Sequence, residues 1–127
     1  MRLTEAKVEP AIAVTDMDRA KQFYEGKLGL SDGSDEEDGG HTYPCGDGSQ
    51  IHIFPSPNAG KSDNTLAGWA VDDVEATVEE LSSRGVAFEQ YGEPLSTDER
   101  GIAELPGGRG AWFKDPDGNI LGLFERR

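Results

Sequence analysis

A chain of 127 residues, 35% hydrophobic and carrying 17 glycines, can form one compact core and is too short for two independent ones, so residues 1–127 are expected to be a single domain. The net charge of −13 excludes the positive surface that nucleic acid or anionic lipid would need, and no apolar run is long enough to span a membrane. The lone Cys45 cannot close an internal disulfide and the first residues form no apolar secretion segment, so the expectation is a cytoplasmic protein held together by burial.

The first predicted strand, Val8–Val14, runs into Thr15 with Asp18 three positions on. That is the spacing of a capping box, and the helix that follows shows an apolar face of Met17, Ala20, Tyr24 and Leu28. SDGSDEEDGG, at 31–40, holds five carboxylates in ten residues and reads as a solvated strand edge or loop, because it lacks the residue order of a calcium-binding EF-hand. Short β-rich runs follow, broken at Asp47-Gly48, a hairpin cue. Ala59-Gly60-Lys61-Ser62 ends like a phosphate-binding loop, but that loop would need a glycine where Pro55 stands, so residues 58–63 read as a linker.

A second strand, Leu66–Val71, leads to Asp72 with Glu75 three on, and to a helix whose face carries Val74, Thr77 or Val78, Leu81 and Gly85. Residues 92–108 are more than a hairpin needs and are candidates for a loop that shapes a pocket. Gly107, Gly108 and Gly110 make a turn into a strand; their spacing and the absence of a following helix rule out a dinucleotide fingerprint. In Asp115-Pro116-Asp117-Gly118 the proline sets φ and the glycine supplies positive φ, so its aspartates read as structural.

These elements repeat. AVTDMD at 13–18 matches AVDDVE at 70–75, and DGSQIHIF at 47–54 returns as DGNILGLF at 117–124. Each half is a strand, a helix and about three more strands. The chain is therefore α+β, with two tandem βαβββ modules at 7–57 and 64–127.

With DMDRAKQFYEGKLGL at 16–30 and AWFKDPDGNILGLFE at 111–125, this duplication resembles the vicinal oxygen chelate superfamily of glyoxalase I, extradiol dioxygenases and bleomycin-resistance proteins. The resemblance implies an open barrel-like cleft and a homodimer, with or without exchanged strands. In metal-dependent relatives the ion is held by one residue on the first and one on the last strand of each module. Carried over position by position, those four places are Glu9, His52, Leu66 and Gly122. Two of them offer no donor, so neither a metal nor any other cofactor is expected.

Alternation places Ile51 and Ile53 under the first helix and His52 on the opposite side, with Leu121, Leu123 and Gly122 arranged alike. Three readings of His52 stand: a polar pair with Glu9, a contact to a bound molecule, or a general base polarised by Glu9. By the same parity Trp69 belongs to the core, and Phe54 and Phe124 to the cleft. The register of Tyr43, Trp112 and Phe113 is not set by the sequence, so each is a candidate for core or cleft. The ligand-binding candidates are thus Glu9, His52, Phe54, Tyr43, Trp112, Phe113 and Phe124. They point to a metal-independent small-molecule binder of the glyoxalase/bleomycin-resistance type. The alternatives are a metal-dependent lyase, isomerase or dioxygenase using Glu9 and His52, and a module kept as a protein-interaction surface.

Overall fold

The structure is a computed structural model that describes residues 2–127. It divides into two compact units, the first ending at Gly60 and the second spanning Lys61–Arg127.

In the first unit a 3-10 turn at Leu3–Glu5 precedes strand β1, Ala11–Val14. β1 is shorter than the expected Val8–Val14: Pro10 has no N–H to give a sheet, and Val8 stands 87% exposed. Helix α1, Met17–Lys21, is capped by Asp16 rather than Thr15, one residue later than expected. The Asp16 carboxylate accepts the Arg19 N–H at 3.1 Å, which a charged cap at a helix N-terminus does well. The chain then widens into a π-helical stretch, Gln22–Lys27, where the Leu28 N–H reaches back five residues to the Phe23 carbonyl at 3.0 Å. The wider turn brings Phe23 and Tyr24 inward together, edge to face at 5.3 Å. Phe23 thus joins Ala20 and Tyr24 in the core, while Met17 and Leu28, expected there, are half-buried.

Strands β2 (Ser34–Asp35), β3 (His41–Pro44) and β4 (Gln50–Pro55) complete a sheet in the order β1-β4-β3-β2. β1 runs parallel to β4, and the other pairs are antiparallel. A parallel pair needs a crossover, and α1 supplies it, covering one face of the sheet.

The second unit repeats the plan. β5 (Thr65–Ala70), α2 (Val74–Ser83), β6 (Ile102–Leu105), β7 (Gly108–Lys114) and β8 (Ile120–Arg126) give the order β5-β8-β7-β6, with β5 parallel to β8. β6 lies within the 92–108 stretch, which explains why that stretch exceeds a hairpin loop. The α2 cap is again one residue later than expected: Asp73, not Asp72, accepts the Ala76 N–H at 3.1 Å. The helix ends where Gly85, at φ +96°, lets the Val86 N–H return to the Leu81 carbonyl and the Gly85 N–H to that of Ser82, both at 3.0 Å. Val74, Val78 and Leu81 form its buried face. Glu125 on β8 fastens the other end by accepting the Val74 N–H at 2.9 Å while Arg109 holds its carboxylate at 3.1 Å. Arg109, and after it the Val74 N–H, keeps the Glu125 carboxyl below its ordinary range. No helix among the described residues is long and apolar enough to cross a membrane.

Asp115 organises the turn between β7 and β8. Buried with Asn119, it accepts the backbone N–H groups of Asp117 and Asn119 at 2.9 Å each and the Asn119 side-chain amide at 2.8 Å. Asp115→Ala removes this shared acceptor, and the loss of one buried hydrogen-bond partner costs about 1–3 kcal/mol. The expected outcome is a loss of roughly 2–4 kcal/mol, seen as a lower urea midpoint at unchanged slope. A midpoint equal to that of the parent would show that the turn does not depend on this carboxylate.

Candidate functional site

In β4, Ile51 and Ile53 are buried, while Gln50, His52 and Phe54 point to the other face. The neighbouring strands put Ala11 and Thr42 opposite His52 and Ala13 opposite Phe54. The rings of His52 and Phe54 lie 5.8 Å apart and 12° from parallel. Glu9 reaches this face by accepting a hydrogen bond from the Gln50 amide.

The Glu9–His52 pair, one of the three readings of His52, is not formed. His52 Nδ1 meets Thr42 Oγ1 at 3.1 Å and Nε2 meets Asp38 Oδ2 at 2.8 Å. Asp38 is brought there by the glycines that follow it: Gly39 takes φ +86°, and the Gly40 N–H donates to Asp38 Oδ1 at 2.8 Å. A Cβ on Gly40 would stand 2.3 Å from the Ile53 carbonyl and 3.1 Å from His52 Cε1. The acidic run is therefore docked on the sheet at two points, since Asp35 also pairs with His41 Nδ1 at 2.8 Å and Lys21 Nζ at 3.3 Å. The sequence showed these carboxylates only as a charge run; the partners depend on how the two glycines turn the chain.

In the second unit Leu121 and Leu123 are buried, and Gly122 and Phe124 occupy the alternate positions. Gly122 is flanked by Gly68 on β5 and Trp112 on β7, and Phe124 by Ala70 and Gly110. A Cβ added at Gly68, Gly122 or Gly110 would lie 2.5, 2.7 or 3.3 Å from a carbon of the Phe124 ring. The ring therefore lies over Gly68 and Gly122, where a Cβ would push on it, and within close contact of the place that a Cβ on Gly110 would take. Trp112 meets Phe124 edge-on at 6.0 Å and Tyr91 at 5.9 Å. Beside them is a depression of about 490 Å³ whose lining includes Thr65, Tyr91, Leu95, Trp112, Lys114 and Ile120. Tyr91 and Leu95 belong to the connection ahead of β6, and the Tyr91 N–H is anchored on Thr97 Oγ1 at 2.7 Å. Burial raises the Tyr91 phenol pKa.

Two of the cleft candidates belong to the cores instead. Tyr43 lies opposite Ile51 and Phe113 opposite Leu121, so both share the inward parity and are almost fully buried. The Tyr43 hydroxyl donates to Glu25 Oε2 at 2.6 Å, and burial, then Glu25, raises its pKa. Trp69 is half-buried on the inner face, stacked on Phe113 at 6.4 Å. Leu66 sits at a β-bulge between Thr65 and Ala67, 39% exposed. The donor set does not fit a divalent ion. Leu66 and Gly122 carry no ligand atoms, Phe124 fills the space at Gly122, and both His52 nitrogens and the Glu9 carboxylate have other partners. Among the described residues no three His, Cys, Asp or Glu side chains are grouped to hold a metal.

Duplicated βαβββ units with these open faces define a class, and the chain belongs to the glyoxalase/bleomycin resistance protein/dioxygenase superfamily, whose pattern matches residues 8–123. It is similar to the uncharacterized protein YetH of Bacillus subtilis (strain 168), with 29% identity over 122 residues, 91% of this chain and 93% of that one. It also resembles the crystal structure of TnmS3, an antibiotic binding protein from Streptomyces sp. CB03234, at TM-score 0.71, 26% identity and 97% of both chains. A glyoxalase/bleomycin resistance protein from the same Streptomyces matches at TM-score 0.67 and 27% identity, over 94% of this chain and 99% of that one.

Asp38 and Asp35 titrate below the ordinary 3.8, Asp38 through the Gly40 N–H and then His52, Asp35 through His41 and then Lys21. Depressed carboxylates stabilise the docked run above the ordinary value, and that contribution is lost as pH falls through their own lower values. In a carbon-13 NMR titration of the carboxyl groups, His52→Ala should move Asp38 only part of the way back, because the Gly40 N–H remains. His41→Ala should move Asp35 further. Complete return of Asp38 in His52→Ala would contradict this ranking.

Proposed function

We propose that the protein is a metal-independent binder of small molecules, taking a planar, partly apolar compound of the antibiotic type on the aromatic face of its second unit. The observation that carries this reading is the chain of rings in which Phe124, laid over Gly68, Gly110 and Gly122, meets Trp112 and Trp112 meets Tyr91, with the 490 Å³ depression that Trp112 and Tyr91 line. Half-buried Phe124 and Tyr91, with Trp112 packed against both at 7% exposure, offer apolar area and little hydrogen bonding, which suits a ring system. Polar groups at the rim, among them Lys114 and Asn64, would orient it. On the first unit, His52 and Phe54 form a smaller stacked pair that belongs to the same reading. The antibiotic-binding relative TnmS3, similar over nearly the whole chain, supports the ligand class. The assembly we propose is a cytoplasmic homodimer, as the family resemblance implies, with a solution mass of two chains by light scattering.

Binding is read by isothermal titration calorimetry with bleomycin and a panel of planar aromatic antibiotics. Trp112→Ala should weaken a saturable interaction about tenfold or more, or ~1.4 kcal/mol, while Trp69→Phe on the core side should leave it unchanged. No saturable response from any compound, or full affinity in Trp112→Ala, would sink the proposal.

Metal content measured by plasma mass spectrometry, after incubation with zinc, nickel, manganese or iron(II), should stay far below one ion per chain. An ion near stoichiometry that disappears in His52→Ala would replace this reading with a metal-dependent lyase, isomerase or dioxygenase using Glu9 and His52.

A further inference from the structure

Thr42, His52 and Asp38 stand in a line whose hydrogen-bond directions can be assigned. Asp38 is ionised at neutral pH and can only accept, so His52 Nε2 must carry the proton that bridges the 2.8 Å contact. A neutral imidazole then has a bare Nδ1, and the only proton available across the 3.1 Å contact is that of the Thr42 hydroxyl. Hydroxyl donates to imidazole, and imidazole donates to carboxylate. This is the order of roles in hydrolases that use an activated hydroxyl, with the two ring nitrogens exchanged. Thr42 is half-buried, the His52 side chain is 23% exposed and that of Asp38 50%. Phe54, stacked beside His52, gives it an apolar flank.

We propose that Thr42, His52 and Asp38 constitute a second functional site, a metal-free relay that makes Thr42 a nucleophile towards small activated carboxylic esters. Thr42 Oγ1 bonds to the acyl carbon as its proton passes to His52 Nδ1. The bond from the acyl carbon to the alcohol oxygen then breaks, and His52 returns the proton to the departing alkoxide. Water attacks the acyl-threonine, His52 takes its proton, and the same proton restores the Thr42 hydroxyl as the carboxylic acid leaves. Asp38 is the positioning residue that holds the ring in the required tautomer.

The test uses 4-nitrophenyl acetate with the full-length protein. Acid quenching followed by peptide mass spectrometry should place an acetyl group on Thr42, and Thr42→Ser should keep both the adduct and the turnover. Thr42→Val, of nearly the same shape, should lose the adduct and fall about 10²-fold or more in rate. Asp38→Asn should lower kcat by a similar factor with little change in KM. No adduct in the parent protein, an acetyl group confined to other residues, or full activity in Thr42→Val would overturn the assignment. Thermal melts of each variant separate lost chemistry from lost folding.

Discussion

The structure depends on the two-residue alternation of β4 and β8, the strands that end each unit. Each is gripped on one side by a parallel strand and on the other by an antiparallel one, so its register is pinned on both edges. Ile51 and Ile53, or Leu121 and Leu123, go inward, and burying each stabilises by about 1.5–3 kcal/mol. A slip of one residue would expose both members of a pair and bury Gln50, His52 and Phe54 instead. The chemistry of the open face is thus set by the hydrophobic demand of the opposite one.

On that shared frame the two units have solved the middle outward position differently. In the first, an imidazole is tied into a polar line by a strand neighbour and by the acidic segment. In the second, side chains are removed from three adjacent strands and one ring covers the gap. A half-buried histidine needs partners for both nitrogens, and Thr42 and Asp38 meet that need. A bare glycine floor in a sheet has no packing of its own, and Phe124 supplies it. Both arrangements are locally complete.

Much of the fold was legible because it is carried by periodic patterns: the duplicated hairpin, the inward Ile and Leu pairs, and the apolar face of α2. Boundaries slipped where two candidate caps stood side by side. Thr15 and Asp16, like Asp72 and Asp73, differ by one position, and in both cases the residue nearer the helix carries the capping carboxylate. Phe23 was missed because the pattern assumed uniform α-helical turns and the wider π turn rotates it inward. The site was less legible. The parity of His52, Phe54 and Phe124 could be counted, but Tyr43 and Phe113 could not be assigned to a face until strand register was known. Asp38, the partner of His52, lies fourteen residues away in a run whose composition says only that it is polar.

The glycine at 122 also bears on what the second unit can become. A donor placed there would bring its Cβ to 2.7 Å from the Phe124 ring, and the same ring lies against Gly68 and Gly110. A side chain at this position therefore presses on the end of the Phe124 ring, which would have to shift where it lies against Gly68, Gly110 and Trp112. The changes are coupled through one ring, so no single substitution recovers a donor without a packing cost of the kind that overfilled sites show, about 1–3 kcal/mol. Phe124 thus packs over the glycines and is the first group that a side chain at position 122 would meet.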